Sequence, residues 1–143
     1  MWWWLVLGCG GSEVLGLAQA PASSASRMEI QGASIDLTGL SAYDRTCTRK
    51  TPVATKGGSP CVDHHFYVAP VRDGSDGPVL AWVTCPERAG TTVEACRAWL
   101  EARPVPSGRV MWRHRANWDS GWAKAIAASG LPSAERAPVL LIE

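Results

Sequence analysis

Apolar and polar side chains alternate most clearly over residues 61–71, CVDHHFYVAPV. Val62, His64, Phe66 and Val68 fall on one side, and Asp63, His65, Tyr67 and Ala69 on the other. A period of two predicts a strand. The run Asp73-Gly74-Ser75-Asp76-Gly77-Pro78 breaks the pattern, and residues 79–85, VLAWVTC, return as a short apolar stretch. Two such runs joined by a Gly/Asp-rich loop predict a hairpin.

The period then lengthens. Val93, Cys96, Trp99 and Leu100 recur at helical spacing behind Thr91-Thr92-Val93-Glu94. A Thr followed three residues later by a Glu has the spacing of a capping box, and Pro104 enforces a stop. Residues 109–115, RVMWRHR, alternate again and predict a strand. Asn117 or Asp119 can cap a second helix over Trp122, Ala125 and Ile126, with Gly130 in the left-handed position that ends it. Residues 137–142, APVLLI, read as a strand buried on both faces. Upstream, Ile30, Ile35 and Leu37 predict a first strand with a bulge at Gly32. The Arg/Thr-rich polar stretch that follows holds Cys47 and ends at the turn signal Gly57-Gly58-Ser59-Pro60. The order is roughly β-β-β-β-α-β-α-β. It predicts an α+β fold over residues 28–143, with one small domain, a mixed, mostly antiparallel sheet and two helices.

Residues 1–20 stand apart: thirteen are apolar, four are Gly, and only Ser12, Glu13 and Gln19 are polar. Twenty helical residues span about 30 Å, the thickness of a hydrocarbon core. Trp2, Trp3 and Trp4 suit a membrane interface, and Gly8, Ser12, Gly16 and Ala20 form a stripe of small residues at four-residue spacing. The segment is therefore expected to meet a membrane as an anchor or export signal. Glu13 and the lack of any preceding basic residue count against a simple span. Val6-Leu7-Gly8-Cys9 resembles a lipidation box with Cys9 as the modified residue. Residues 21–27, PASSASR, read as a polar linker.

Length and charge narrow the classes. A chain of 143 residues and 15.3 kDa holds one domain, and 46% hydrophobic against 19% charged residues is a globular balance. Fourteen basic against thirteen acidic residues give a net charge of +1, so no nucleic-acid partner is expected. Eight Trp stand against one Phe. Trp82, Trp99, Trp112 and Trp122 fall on expected inward faces and replace Phe as core bulk.

Besides Cys9, the cysteines are Cys47, Cys61, Cys85 and Cys96, which allow three pairings. Cys47–Cys61 would close the Gly/Pro loop, and Cys85–Cys96 would pin a strand end to the first helix. Such disulfides would place the domain on the oxidising side of a membrane or in a cell envelope. The reduced alternative is a set of small buried hydrophobes. Cys47, Cys61, His64 and His65 are ligand types for zinc. No C-x-x-C pair is present, and adjacent histidines on a strand point to opposite faces, so no metal is expected.

Asp63-His64-His65 pairs acid with base, and Cys61 is a thiol nearby. Along a strand, however, Cys61 and His65 lie about 13 Å apart. The bland reading is edge-strand histidines beside a disulfide. No sequence motif for catalysis or cofactor binding is present, and no cofactor is expected. Arg109, Met111, Arg113 and Arg115 fall on one strand face, with Val110, Trp112 and His114 on the other, and Trp118 follows. Three guanidiniums in a row with an indole beside them can hold a phosphate or carboxylate; the bland reading is a solvated face. Three functions follow in order. The first is a non-catalytic membrane-anchored or envelope domain that contacts another protein or an assembly. The second is an anion-binding module on Arg109, Arg113, Arg115 and Trp118. The third is a thiol- or metal-dependent enzyme around Cys61, His64 and His65.

Overall fold

The computed structural model describes residues 11–46 and 63–143. The strands are β1 (Ser12–Gly16), β2 (Arg27–Gln31), β3 (Ser34–Ile35), β4 (Ser41–Arg45), β5 (His64–Arg72), β6 (Trp82–Thr84), β7 (Ser107–Arg113) and β8 (Pro138–Leu141). The helices are α1 (Val93–Glu101) and α2 (Gly121–Ala128), with short 3-10 turns at Leu17–Ala22, Leu37–Gly39 and Glu87–Ala89. All eight strands form one sheet in the order β1-β2-β7-β8-β6-β5-β3, with β4 also pairing β5. The β1–β2 and β6–β8 pairs are parallel and the others antiparallel. The α+β class and the mixed, mostly antiparallel sheet are as the pattern predicts.

Each face of the sheet carries one helix. Tyr67, Ala69, Val71, Val83 and Leu140 share a core with Cys96 and Leu100 of α1. The intervening Val68, Trp82 and Val139 share another with Ala125 and Ile126 of α2. Burial on both faces explains why β8 reads as a continuous apolar run. It also ends the half-exposed alternation expected along β5, where every residue from Tyr67 to Val71 is buried. Trp82 is fully buried, and Trp99, Trp112 and Trp122 pack partly buried against the two cores, as expected of them. Trp82 donates its indole N–H to Ser133 Oγ at 2.9 Å, and Trp99 donates its own to the Ile142 carbonyl at 2.7 Å. Without those acceptors, burying an indole N–H would be costly.

The helix ends show which local signals act. Thr92, not Thr91, caps α1, its hydroxyl accepting from the Ala95 amide at 3.1 Å. Glu94 therefore sits one position too early for the capping box. Ser120, rather than Asn117 or Asp119, caps α2 through the Ala123 amide at 3.1 Å. A cap of this kind is worth about 1 kcal/mol. Gly130 ends α2 at φ +72°, the left-handed conformation expected of it.

The N-terminal boundary differs from expectation. Residues 1–10, Cys9 among them, lie outside the described residues, but from Ser12 the chain belongs to the sheet. Residues 12–16 are β1, and Leu15, Leu17 and Ala20 are buried with Met28 and Ile30. An apolar stretch this short is satisfied by a protein core as well as by lipid. Among the described residues no helix is long and apolar enough to cross a membrane. The expected linker is likewise structured at both ends, with Pro21 and Ala22 in a 3-10 turn and Arg27 opening β2.

Two irregularities shape the sheet. Proline is out of place in a paired strand because it has no N–H to donate. Pro70 nevertheless lies inside β5. Its carbonyl accepts from the Asp36 amide at 2.9 Å, so the missing N–H faces β3 and β4. There the neighbouring strand is interrupted: β3 pairs as Ile35↔Val71, β4 resumes as Ser41↔Val68, and the Leu37–Gly39 turn loops out between them. The Pro70 ring fills the place where Gly39 would carry a Cβ, 2.8 Å away. The second irregularity is a bulge in β7. Val110 pairs Leu140 but Trp112 pairs Val139, leaving Met111 as the extra residue.

Candidate functional site

Downstream of Ala69, β5 has a strand on each side. Upstream, β4 continues along one side while β6 stops at Thr84 on the other. Where the chain leaves the sheet, Cys85 is bonded to Cys96 on α1, with Cα atoms 5.6 Å apart, and Pro86 has no amide hydrogen to pair. A cleft of about 830 Å³ opens between the first half of β5 and the ends of the central strands. Phe66, Met111, Trp122 and Leu141 give it apolar walls, and Asp63, His64, His65, Glu87 and Arg88 give it polar ones.

Its best-defined polar group is His65. Asp44 on β4 lies directly across from it, and His65 Nδ1 meets Asp44 Oδ1 at 2.7 Å. The geometry follows from the pairing. Residues 65, 67, 69 and 71 of β5 direct their backbone groups toward β6, since the Val71 amide donates to the Ala81 carbonyl. Asp44↔His65 is therefore a non-hydrogen-bonded position of the β4–β5 ladder, where facing side chains come closest. The His65 ring stacks on Tyr67 with centroids 6.2 Å apart and planes 4° from parallel. The Tyr67 hydroxyl donates to the Thr91 carbonyl at 2.6 Å. Burial, then the carboxylates of Asp44 and Glu94, raise its pKa above the ordinary phenol value.

His64 and Phe66 lie on the opposite side of β5. The Phe66 ring packs edge-on against Trp122 at 5.1 Å, and the Arg45 guanidinium lies over it, 5.4 Å from its centroid. Gly121 is required here, because a Cβ on that residue would overlap the Phe66 ring. The two histidines thus face opposite ways, as the strand period predicts. The carboxylate that orients His65 is Asp44, twenty-one positions away in sequence, a partner that no local motif announces.

The other expected groupings fare differently. Cys85 and Cys96 are joined, one of the pairings the spacing allowed. Cys47 and Cys61 lie outside the described residues, and with them the thiol and zinc readings. Among the described residues no cluster of three or more His, Cys, Asp or Glu could hold a metal ion.

The arginine face is not assembled. Val110 packs with the α1 core and Trp112 with the α2 core, so the Met111 bulge puts Arg109 and Arg113 on opposite sides of the sheet. Arg113 is half-buried and structural. Its guanidinium donates to the Arg136, Ala20 and Ala25 carbonyls at 3.3, 3.4 and 3.5 Å, tying the N-terminal turn to β7. Burial and the neighbouring Arg136 lower its pKa from the usual guanidinium value. Arg109 is exposed. Arg115 and Trp118 do meet, with the guanidinium 5.0 Å from the indole centroid, on an open surface.

A second hollow, of about 790 Å³, lies over the β2–β3 turn. Its carboxylates already have local roles, Asp36 accepting from the Thr38 amide and Asp73 from the Ser75 amide. Those bonds from Ser75 hold the Asp73 carboxyl below its ordinary pKa. No family model matches the chain, and neither a curated protein nor a solved structure with significant similarity was found.

Proposed function

We propose that the chain is a non-catalytic interaction domain of an oxidising compartment, such as a cell envelope, and that it contacts its partner through the cleft at the open end of β5. The Cys85–Cys96 disulfide on the cleft wall carries this reading. Such a bond persists outside the reducing cytosol, and it ties the chain to α1 where it leaves β6 beside the cleft. Apolar and aromatic walls with a few polar groups are the usual make-up of a binding surface. The dispersal of Arg109 and Arg113 to opposite faces supports this reading over an anion-binding strand.

Two measurements test it. Mass mapping of native protein alkylated without reduction should leave Cys85 and Cys96 unlabelled. A nuclear magnetic resonance screen with indole, phenol and benzoate should give amide shifts concentrated at Phe66, Met111 and Trp122. Shifts scattered over the surface, or none, would remove the cleft as a binding site. Alkylation of either cysteine would remove the oxidising compartment.

A further inference from the structure

We propose that the cleft takes an extended peptide segment, which pairs with β5 through the main-chain groups of His65 and Tyr67 and continues the line of β6 past Thr84. This rests on the reading of the cleft as an interaction site and names the chemistry of the partner. The direction of the backbone groups carries it. The Val71 amide donates to the Ala81 carbonyl, and Ala69 lies opposite Val83, so the odd-numbered residues of β5 address the β6 side. At Tyr67 and His65 the same groups address the cleft, where no strand among the described residues runs alongside. N–H and C=O groups with no strand partner among the described residues, repeating every two residues and about 7 Å apart, form a template for another main chain. The walls suit a peptide too. Side chains alternating across the added strand would meet the Phe66–Trp122 pair on one side and the His65–Tyr67 stack on the other.

The test uses the full-length protein and a capped hexapeptide of threonine with a single phenylalanine, which fixes the register. Two further isomers carry N-methyl groups on one or the other set of alternate amides. Strand pairing predicts shifts at the His65 and Tyr67 amides. It also predicts at least a tenfold loss of affinity for one isomer, the effect of about one main-chain hydrogen bond, and less than twofold for the other. If both isomers bind as well as the parent, the cleft binds peptides by their side chains and the pairing is refuted. If the aromatic fragments shift the cleft amides but the hexapeptide does not, the peptide class is refuted while the interaction site stands. If neither binds, both readings fall.

Discussion

Replacing Cys85 and Cys96 together by alanine tests the element on which the site depends. The bond closes a loop with a sequence separation of 11. In the chain-entropy account such a loop restricts the unfolded chain by about 3 kcal/mol at 25 °C. Cys96 is fully buried, so its sulfur also leaves a small void, worth about 1 kcal/mol more. The double variant should therefore lose about 4 kcal/mol, a fall in Tm of roughly 12 °C for a protein of this size. Urea unfolding followed by tryptophan fluorescence measures it. The midpoint should fall and the slope m should rise, because the uncrosslinked chain exposes more surface when unfolded. Native protein in which only this bond has been reduced, checked by mass mapping, should recover the void term and show the crosslink term alone. A loss below about 1 kcal/mol with m unchanged would refute the reasoning, since the entropic term alone exceeds that value.

Two further outcomes are expected. Gly108→Ala should prevent stable folding or cost more than about 4 kcal/mol, because its Cβ would overlap the Leu141 carbonyl oxygen and lie 2.7 Å from the carbonyl carbon, both backbone atoms of β8; circular dichroism melts of the variant measure this, and a loss under about 1 kcal/mol would show that β7 and β8 are not so closely paired. His114 Nδ1 is buried with no hydrogen-bond partner among the described residues, and desolvation, only partly offset by Glu135, lowers the ring's pKa below its ordinary value of 6.5. The unfolded chain then takes up the proton first as pH falls. Stability from this group is fully present above pH 6.5 and declines from there down through the lowered folded value. His114→Gln should flatten that limb when the two proteins are compared by urea midpoints between pH 7.5 and about 5, and a parallel decline in both would exclude His114 as its source.

What was legible in the sequence was whatever a residue and its near neighbours decide. The faces of α1 and α2, the left-handed Gly130 and the doubly buried β8 follow from periodicity and local sterics. β4 was not legible, because Ser41–Arg45 forms a partly polar strand whose identity comes from pairing with β5, not from alternation. β1 was hidden in the opposite way, by apolar residues that lipid or a protein core would satisfy equally. The arginine face failed on a single extra residue, since nothing local to Met111 reveals that its partner strand skips it. The Asp44–His65 pair is set by register across a ladder, and only the fold brings those groups together.

The bulge at Met111 works as a change of parity within one strand. Upstream of it, residue 110 serves the core under α1; downstream, residue 112 serves the core under α2. Losing that residue would restore a uniform period with Val110 still opposite Leu140 and Trp112 still opposite Val139, each on the face it already serves. A single deletion at 111 is therefore a length change that β7 can take without moving a side chain from one core to the other. Substitutions at residue 111, which is 41% exposed, are comparatively free. At this position neither the kind of residue nor its presence decides which core its neighbours serve.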